Sequence, residues 1–512
     1  MLKNIVKGLK PSSTLKINEI SRKLEDKGEK IFKFGFGQSP FQVPNDIVNA
    51  LKDNAHQNKY LPMQGLNELR DAVAKYTSVK KDYNYKPENI IIGPGSKELM
   101  FLLHIIFDGE IILPAPSWVS YAPQAILGRN KIQSIQTKRE NNWFPTGSEI
   151  EEAILKDNAY QNKYLPMQGL NELRDAVAKY TSVKKDYNYK PENVIIGPGS
   201  KELMFLLHIL FDGEIILPTP SWVSYAPQAI LGRNKIQSIQ TKRENNWFPA
   251  GSEIEEVILK DKNKNYLLFL NSPNNPSGQI CKNLEEISEI VKKYNLIILS
   301  DEIYSELSFD KGFKSISSFC PEKTIISTGL SKWCGAGGWR LGYFIIPDSL
   351  NILKNSINVL ASETFSAVSA PIQYAAITAY TSDHSKYIDS SKNILKAVGN
   401  YVYENLKSNK VLINKPQGGF YLMPEFLNKK FNTSSEMCDN ILKETGVALL
   451  PGSDFGFDKN KMLARLSFTD FDGQEFMKQT QNGQAIDKNL ILKLAPKIVE
   501  GVDKLKKWST ST

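Results

Sequence analysis

Cysteine, long apolar runs and blocks of like charge are all scarce in this 512-residue chain. Its four cysteines form no CxxC pair, so we expect a reduced, cytoplasmic protein without a structural metal. No apolar run approaches the roughly 20 residues of a membrane span, and the first residues lack the apolar segment of a secretory signal. The net charge of +9 is not gathered into a basic block, so neither nucleic acid nor a membrane is an expected partner.

The most prominent feature of the chain is a long internal repeat. Residues 51–154 recur as residues 155–258 with six mild differences, so 98 of 104 positions are identical. Each copy holds part of a βαβ pattern, and one position in a sheet cannot be filled twice by the same strand. We therefore predict a tandem duplication with one surplus copy, rather than a solenoid of short stacked units.

Predicted strands and helices alternate along the chain after the repeat. Strand patterns cover residues 265–271, 296–300, 324–327 and 341–346, and an amphipathic helix pattern covers residues 283–294. This alternation predicts an α/β fold with a doubly wound, mostly parallel sheet. From about residue 349 long helical patterns surround a short mixed region, which predicts a smaller α+β domain.

The predicted domain organisation has four parts. In each repeat copy we predict a strand, at residues 89–92 and 193–196, and the polar stretch 474–489 is predicted to be a loop. We expect the first copy to be the surplus one. The four parts are 1–50 (an N-terminal arm and part of the small domain), 51–154 (the first copy), 155–348 (the large domain with the second copy) and 349–512 (the small α+β domain).

A lysine and an arginine stand out in the small-residue loop that follows the strand at 324–327. Lys332 and Arg340 lie eight residues apart among Gly, Ala and Trp. A lysine amine in partly desolvated surroundings is a usable nucleophile, and arginine grips phosphate in a forked geometry. The pair indicates a phosphorylated aldehyde cofactor held as a Schiff base. The alternative is a glycine-rich turn with two solvated cations, whereas the dinucleotide motif GxGxxG fails because its last position is Arg340.

Four further features fall at predicted strand ends, where open α/β sheets place their ligand sites. A Gly-Pro-Gly-Ser-Lys turn can cradle an anion or merely cap a helix, and an indole can stack on a flat ring or belong to the core. A turn rich in Asn and Pro can aim an amide, and a carboxylate there can hold a pyridine nitrogen protonated or act as an N-cap. Their occurrence in one order along one sheet favours the functional interpretation. The candidates are Ser200, Lys201, Trp222, Asn271, Asn275, Asp301 and Tyr304.

As a set, these motifs resemble the fold-type I enzymes that use pyridoxal phosphate, specifically class I/II aminotransferases of the bacterial aspartate aminotransferase type. The likeness covers essentially the whole chain once a single repeat copy is removed. One departure is Gly37-Gln-Ser-Pro-Phe41, where many relatives carry Gly-Glu-Pro-Asp-Phe; it concerns the mouth of the substrate pocket. The motifs that carry the resemblance are residues 164–174, 222–225, 271–278, 300–304, 331–332, 338–342 and 464–468.

The resemblance implies pyridoxal 5′-phosphate as the cofactor and three catalytic residues. Lys332 would bind the cofactor covalently and move the substrate proton. Asp301 would pair with the pyridine nitrogen, and Tyr304, together with Asn275, would contact the ring oxygen. Trp222 would stack on the cofactor ring.

The resemblance also implies which residues bind the substrate and which bind the cofactor phosphate. Arg465 would bind the substrate α-carboxylate, and the backbone at Gly37 would close over the substrate beside Asn275. The enzyme would be a homodimer with shared active sites. The residues implied at the phosphate end are Ser200, Lys201, Arg340 and, across the dimer interface, Tyr164.

The predicted function is therefore amino transfer between an L-amino acid and a 2-oxo acid by ping-pong chemistry, with aspartate and 2-oxoglutarate as the type that the resemblance implies. Alternatives are another enzyme of the same fold (a lyase or a decarboxylase), a non-catalytic cofactor-binding regulator, or a product inactivated by the duplication. Either copy, or a hybrid of both, could enter the sheet; the second is preferred because its residues then stay close in sequence to Asp301. The corresponding first-copy residues are Tyr60, Ser96, Lys97 and Trp118.

Overall fold

The computed structural model describes residues 27–28, 43–59, 61–81, 84–118, 120–147, 149–150, 168–185, 187–309, 313–427, 430–480 and 486–511. Within these ranges, no helix is both long enough and apolar enough to cross a bilayer. The strands are β1 (Glu110–Ala115), β2 (Lys131–Gln136), β3 (Val194–Gly197), β4 (Glu214–Thr219), β5 (Ile236–Gln240), β6 (Tyr266–Asn271), β7 (Ile297–Asp301), β8 (Thr324–Gly329), β9 (Gly342–Ile345), β10 (Val411–Leu412), β11 (Tyr421–Leu422), β12 (Glu425–Phe426), β13 (Leu450–Pro451) and β14 (Ala464–Ser467).

One seven-stranded sheet organises the larger part of the molecule. Its strand order is β3-β9-β8-β7-β6-β4-β5, and β5, β4, β6, β7 and β8 run parallel to one another. Strand β9 is antiparallel to both of its neighbours. The predicted α/β class with a mostly parallel sheet is confirmed. Because the parallel strands end at one edge, the loops after β6, β7 and β8 are brought together there.

The central strands are apolar throughout because helices cover both faces of the sheet. Ile215 and Leu217 of β4 pack in a core cluster on one face, whereas Ile216 between them packs in a different cluster on the other. Alternate side chains of a strand point to opposite faces, so the two clusters are the two sides of one doubly wound sheet. The helices are α1 (Asn45–Asn54), α2 (Asn67–Lys81), α3 (Ser96–Ile106), α4 (Tyr121–Gly128), α5 (Asn171–Lys185), α6 (Ser200–Leu210), α7 (Tyr225–Leu231), α8 (Gly251–Leu259), α9 (Leu284–Tyr294), α10 (Asn351–Glu363), α11 (Ala370–Thr381), α12 (Ser385–Leu406), α13 (Ser434–Thr445), α14 (Gly473–Thr480), α15 (Lys488–Leu494) and α16 (Pro496–Ser511).

A second core lies in the C-terminal part of the chain. There α12, α13 and α16 pack with the short strands β10, β11, β12 and β14 around side chains such as Val398, Phe426 and Phe468. Strand β14 pairs with β11 and β13 in a three-stranded sheet. The stretch predicted to be a loop at 474–489 is partly helical, so that prediction was wrong for α14. The fully buried Phe476 anchors α14 to this core.

The two repeat copies have different surroundings. The second copy supplies β3, β4 and β5 to the large sheet, while β1 and β2 of the first copy form a separate two-stranded sheet. The pairing register is the same in both, with Ile111 opposite Ile132 as Ile215 is opposite Ile236.

The strand predicted at residues 89–92 in the first copy does not form. Its counterpart β3 forms because it pairs with β9, and the chain has only one β9. Without the large sheet, apolar side chains of the first copy stay in contact with solvent. Leu103 is 58% exposed where its counterpart Leu207 is fully buried.

Candidate active site

A cavity of about 390 Å³ lies at the carboxyl ends of β6, β7 and β8, next to the start of α6. The three-stranded sheet of β11, β14 and β13 contributes Tyr421, Leu450 and Arg465 to its lining. Three predicted site residues lie outside the described residues: Gly37, Tyr164 and its alternative Tyr60. The other predicted site residues all line this cavity: Ser200, Lys201, Trp222, Asn275, Asp301, Tyr304, Lys332, Arg340 and Arg465.

Asp301 ends β7 at the floor of the cavity and is only 4% exposed. Its Oδ2 accepts a 2.6 Å hydrogen bond from the Tyr225 hydroxyl, and its Oδ1 accepts a 3.3 Å bond from the backbone N–H of Ile303. Burial raises the pKa of Asp301 to about 6, against the opposing effects of Tyr225, the Ile303 N–H and Lys332. The carboxyl group is therefore held in one orientation, in surroundings where a cationic partner would stabilise its charge.

Lys332 is a half-buried side chain in the loop between β8 and β9. Its Nζ lies 5.7 Å from the ring centroid of Tyr304 and 5.6 Å from that of Phe420. The Tyr304 hydroxyl donates a long 3.4 Å hydrogen bond to the hydroxyl of Tyr421. Burial, followed by the neighbouring Tyr421, raises the pKa of Tyr304, so Tyr304 is a neutral donor beside the lysine amine.

The start of α6 and Arg340 form a cationic cradle in the same cavity. Arg340 donates from Nη1 to the carbonyl oxygen of Gly337 at 3.0 Å and from Nη2 to that of Pro198 at 3.4 Å. Gly199 has a φ of +90°, and a Cβ at this position would collide with the Arg340 guanidinium. Only glycine lets the arginine lie against the turn. The unpaired N–H groups of a helix start and a guanidinium together favour an anion such as phosphate.

Lys201 and Trp222 flank the cradle. The Lys201 Nζ lies 5.4 Å from the centroid of the Trp222 ring, and the indole packs edge-on against Tyr225 with ring centroids 5.5 Å apart. This contact fixes the plane of the half-buried indole, which forms one wall of the cavity. A flat aromatic ligand can therefore stack on it.

Arg465 projects from β14 and connects the C-terminal core to the large sheet. Its Nη1 donates to Oδ1 of Asn275 at 3.1 Å, and its Cζ lies 4.6 Å and 5.1 Å from the ring centroids of Tyr421 and Phe455. Its buried Nε has no hydrogen-bond partner among the described residues. The aromatic rings and the amide hold the guanidinium in place with part of its fork available to a carboxylate.

Two residues of the site were not assigned roles from the sequence. Tyr225 orients Asp301, and Tyr421 contacts both Tyr304 and Arg465. Tyr225 stands three residues after Trp222, but the local pattern gives no signal that its hydroxyl reaches Asp301. Tyr421 follows Gly418-Gly419-Phe420 in the mixed region and has no distinguishing local pattern.

The first-copy counterparts Ser96, Lys97 and Trp118 do not line this cavity. The local arrangement is repeated, since the Lys97 Nζ lies 5.0 Å from the Trp118 ring centroid. Asp301 and Lys332, however, lie outside the repeat and have no counterpart beside the first copy. Both line the cavity beside the second copy. The first copy thus reproduces one wall of the cavity without its reactive groups.

The sequence profile of the family described as aminotransferase class I and II matches residues 29–162 and 155–475. The chain belongs to this family. Its members depend on pyridoxal phosphate, and the enzyme is a transaminase of the fold-type I class. The family assignment predicted from the motifs is confirmed, as are the fold, the cofactor and the amino and oxo acid substrates.

Named relatives agree with this assignment. The chain is 32% identical over 320 residues to the aspartate aminotransferase of Thermotoga maritima, a match that covers 61% of this chain and 81% of the relative. It is 31% identical over 341 residues to the asparagine–oxo-acid transaminase of Streptococcus mutans, covering 63% and 84%. A crystal structure of the Thermotoga maritima aspartate aminotransferase superposes with a TM-score of 0.56 at 28% identity, covering 71% of this chain and 89% of that one.

The residues of the cavity fit pyridoxal phosphate. A buried acid, Asp301, and a cationic cradle, which a Cβ at Gly199 would fill, both line it. The amine of Lys332 and the indole of Trp222 line the same cavity. This donor set matches a flat, phosphorylated pyridine with an aldehyde.

Proposed function

We propose that this transaminase transfers the amino group of aspartate or a closely similar L-amino acid to a 2-oxo acid of the 2-oxoglutarate type, in the cavity beside the second repeat copy. The observation that carries the proposal is that Lys332, Asp301 and Arg465 line one cavity. The similarity to an aspartate aminotransferase and to an asparagine–oxo-acid transaminase supports this donor class.

At the cofactor end, each residue has a role that its chemistry supports. Pyridoxal phosphate supplies an aldehyde and an electron-withdrawing ring. Asp301 keeps the ring nitrogen protonated, since a buried carboxylate held by Tyr225 favours a facing cation. Trp222 stacks on the ring, while Tyr304 and Asn275 donate hydrogen bonds to its oxygen. The phosphate is bound by Ser200, Lys201 and Arg340.

At the substrate end, Arg465 binds the α-carboxylate and Lys332 transfers the α-proton. The guanidinium is already oriented by Asn275 and Tyr421, so little side-chain entropy is lost when a carboxylate binds. Lys332 acts as the base and then as the acid, which requires its amine to be close to the bound amino acid. The backbone at Gly37 is proposed to close over the substrate.

Three wider expectations also stand as proposals. We propose a cytoplasmic enzyme, which the four cysteines support since none of them is in a disulfide. We propose that residues 155–348 form the large domain, residues 349–512 the small domain, and residues 51–154 a surplus copy beside them. The homodimer with shared active sites, including Tyr164 at the phosphate end, stays a prediction of the family resemblance.

A donor panel with 2-oxoglutarate as the acceptor tests the proposed substrate. We expect kcat/KM to be highest for aspartate or asparagine and lower for tyrosine and alanine, with a 2-oxo acid released in each case. Arg465→Ala should raise KM for every donor by about 10- to 100-fold, because each donor loses a charged hydrogen bond to its carboxylate. Formation of an amine and CO₂ without a 2-oxo acid would exclude transamination, and a clear preference for tyrosine would exclude the aspartate-type donor.

The twin tryptophans provide a matched test of which copy forms the site. We expect Trp222→Ala to weaken pyridoxal phosphate binding about tenfold through the loss of ring stacking. Trp118→Ala should change it less than about twofold. Absorbance titration of the cofactor-free protein measures both affinities. Equal effects, or a larger effect of Trp118→Ala, would contradict the assignment of the site to the second copy.

A further inference from the structure

The first repeat copy packs against the large domain through one face of α3 and α4. Phe101 of α3 is fully buried in the same core cluster as Leu203 of α6 and Leu353 of α10. Leu127 of α4 joins that cluster. Leu103, which is on the same helix as Phe101, is 58% exposed. The packing therefore involves one specific face of the first copy.

Hydrogen bonds flank this apolar contact. The Lys97 Nζ donates to the carbonyl oxygen of Ser362 at 2.7 Å, and the Gln124 amide donates to that of Glu363 at 2.6 Å. Both acceptors belong to the last turn of α10, whose carbonyl groups have no partner further along the helix. The first copy thus caps α10, a helix packed on the large sheet, with two of its side chains.

Equivalent residues of the two copies meet each other at this contact. Glu98 and Glu202, which are 104 positions apart, interact through their carboxyl groups, and burial followed by this mutual contact raises the pKa of Glu98 to about 9. Arg129 lies in one cleft with its counterpart Arg233, whose charge lowers the pKa of Arg129 further after burial. Contact between a residue and its own equivalent is the mark of two faces related by a two-fold axis.

The first copy also reaches the loop that carries the reactive residues. The backbone N–H of Gly338 donates to the carbonyl oxygen of Asn58 at 3.1 Å. A Cβ on Gly338 would lie 2.6 Å from the carbonyl oxygen of Lys59, so only glycine permits this approach. Gly338 is two residues before Arg340 and six after Lys332. The segment at residues 58–59 therefore supports the loop of the active site from outside.

We propose that the first repeat copy occupies, within one chain, the surface on which a second molecule of this protein would otherwise dock. The two copies share the residues that form the contact. The second copy of another molecule can therefore make the same contacts across a true two-fold axis. A dimer through this surface and the docked first copy exclude each other, so for the full chain this proposal replaces the homodimer that the family resemblance predicts. This inference concerns assembly alone and does not rest on the proposed donor.

The surface also explains why the first copy can persist in a folded chain. Its apolar face at Phe101 and Leu127 is buried by the large domain rather than left in water. Burial raises the pKa of both Glu98 and Glu202, so protonation of the pair removes the cost of two adjacent buried charges. The docked copy has no equivalent of residues 259–512, so only one half of a two-fold interface is formed.

Light scattering coupled to size-exclusion chromatography tests the proposal. We expect the full chain to elute as a monomer of 57.7 kDa. Deletion of residues 51–154 joins Ala50 to Leu155 and exposes the self-complementary face, so the shortened chain should have twice its own chain mass. Phe101→Glu should displace the first copy and double the mass of the full chain, whereas the matched control Leu103→Glu should remain monomeric.

A full chain that is already dimeric would overturn the proposal, as would a monomeric deletion variant. If the variants aggregate, hydrogen exchange on the unmodified chain tests whether the first copy is docked. The amides of α3 around Phe101 should then exchange at least about tenfold more slowly than an undocked marginal helix of this length would. Exchange of α3 at the rate of an unprotected segment would equally overturn the proposal.

Discussion

Replacing Lys332 with alanine is expected to lower kcat by about 10⁴-fold, because the variant loses the group that both bonds to the cofactor aldehyde and moves the substrate proton. Cofactor binding should be weakened much less, since the cradle at Arg340 and the indole of Trp222 remain. Steady-state kinetics and an absorbance titration separate the two effects. Lys332→Arg should be as inactive as the alanine variant, since it keeps a cation but not a titrating amine.

Lys201 is the matched control, because it is the other lysine that lines the cavity. Borohydride reduction of the cofactor-loaded enzyme, followed by peptide mass spectrometry, should place the covalent adduct on Lys332. Lys201→Ala should keep that adduct while binding the cofactor more weakly. An adduct on Lys201, or activity of Lys332→Ala within about tenfold of the parent enzyme, would show that the proposed assignment is wrong.

The strands of the large sheet were predictable because they are apolar runs with polar ends. The predicted strand at 296–300 differs from β7 by one residue at each end, and the strand at 324–327 differs from β8 only at its end. For these two strands, local composition is a sufficient signal.

The segment at residues 89–92 shows where local signal fails. It differs from the corresponding segment of the second copy only by Ile90 in place of Val194, yet only the second copy forms a strand. The difference lies in the pairing partner, because β9 occupies one edge of β3 and there is no second β9. Strand formation here depends on tertiary context rather than on propensity.

Helix α14 was missed for the opposite reason. Its sequence is polar, and the main apolar contribution to its packing is Phe476, which is fully buried. The Asp472 carboxylate accepts hydrogen bonds from the backbone N–H groups of Gln474 and Glu475. An N-cap and one anchor stabilise this short helix, but they leave no clear helical periodicity in the sequence.

The site residues that could be predicted from the sequence are those that end strands or begin helices. Their gathering at one edge follows from parallel topology alone. Tyr225 and Tyr421 could not be predicted in this way. Tyr225 contacts a carboxylate 76 positions away, and Tyr421 belongs to β11 of a different sheet. Contacts of this kind depend on the packing of whole elements, which no local pattern encodes.

The ionised Asp301 carboxylate should favour the bound cofactor but destabilise the cofactor-free protein. Its pKa is raised to about 6 by burial, above the roughly 3.9 of an unfolded aspartate. Between these two values the folded state binds the proton more tightly, so its stability falls as the pH rises through this window. Above it, the ionised carboxylate costs the cofactor-free protein up to about 3 kcal/mol.

Asp301→Asn is therefore expected to make the cofactor-free protein more stable at pH 8, by up to about 3 kcal/mol, and to change it little at pH 4. The asparagine keeps an acceptor for the Tyr225 hydroxyl. In the loaded enzyme kcat should fall by about 10² to 10³-fold, because the charge that holds the ring proton is lost. Urea denaturation at the two pH values and steady-state kinetics measure the effects.

The adjacent carboxylate of Glu302 is the matched control for this stability effect. It is 1% exposed, but it pairs with Lys185 and accepts a 2.9 Å hydrogen bond from Ser300. Glu302→Gln leaves the lysine charge buried without its partner, so this variant should lose about 3 to 5 kcal/mol at pH 8. If Asp301→Asn is destabilised at pH 8 as Glu302→Gln is, Asp301 is a structural ion-pair residue and does not face a cofactor ring.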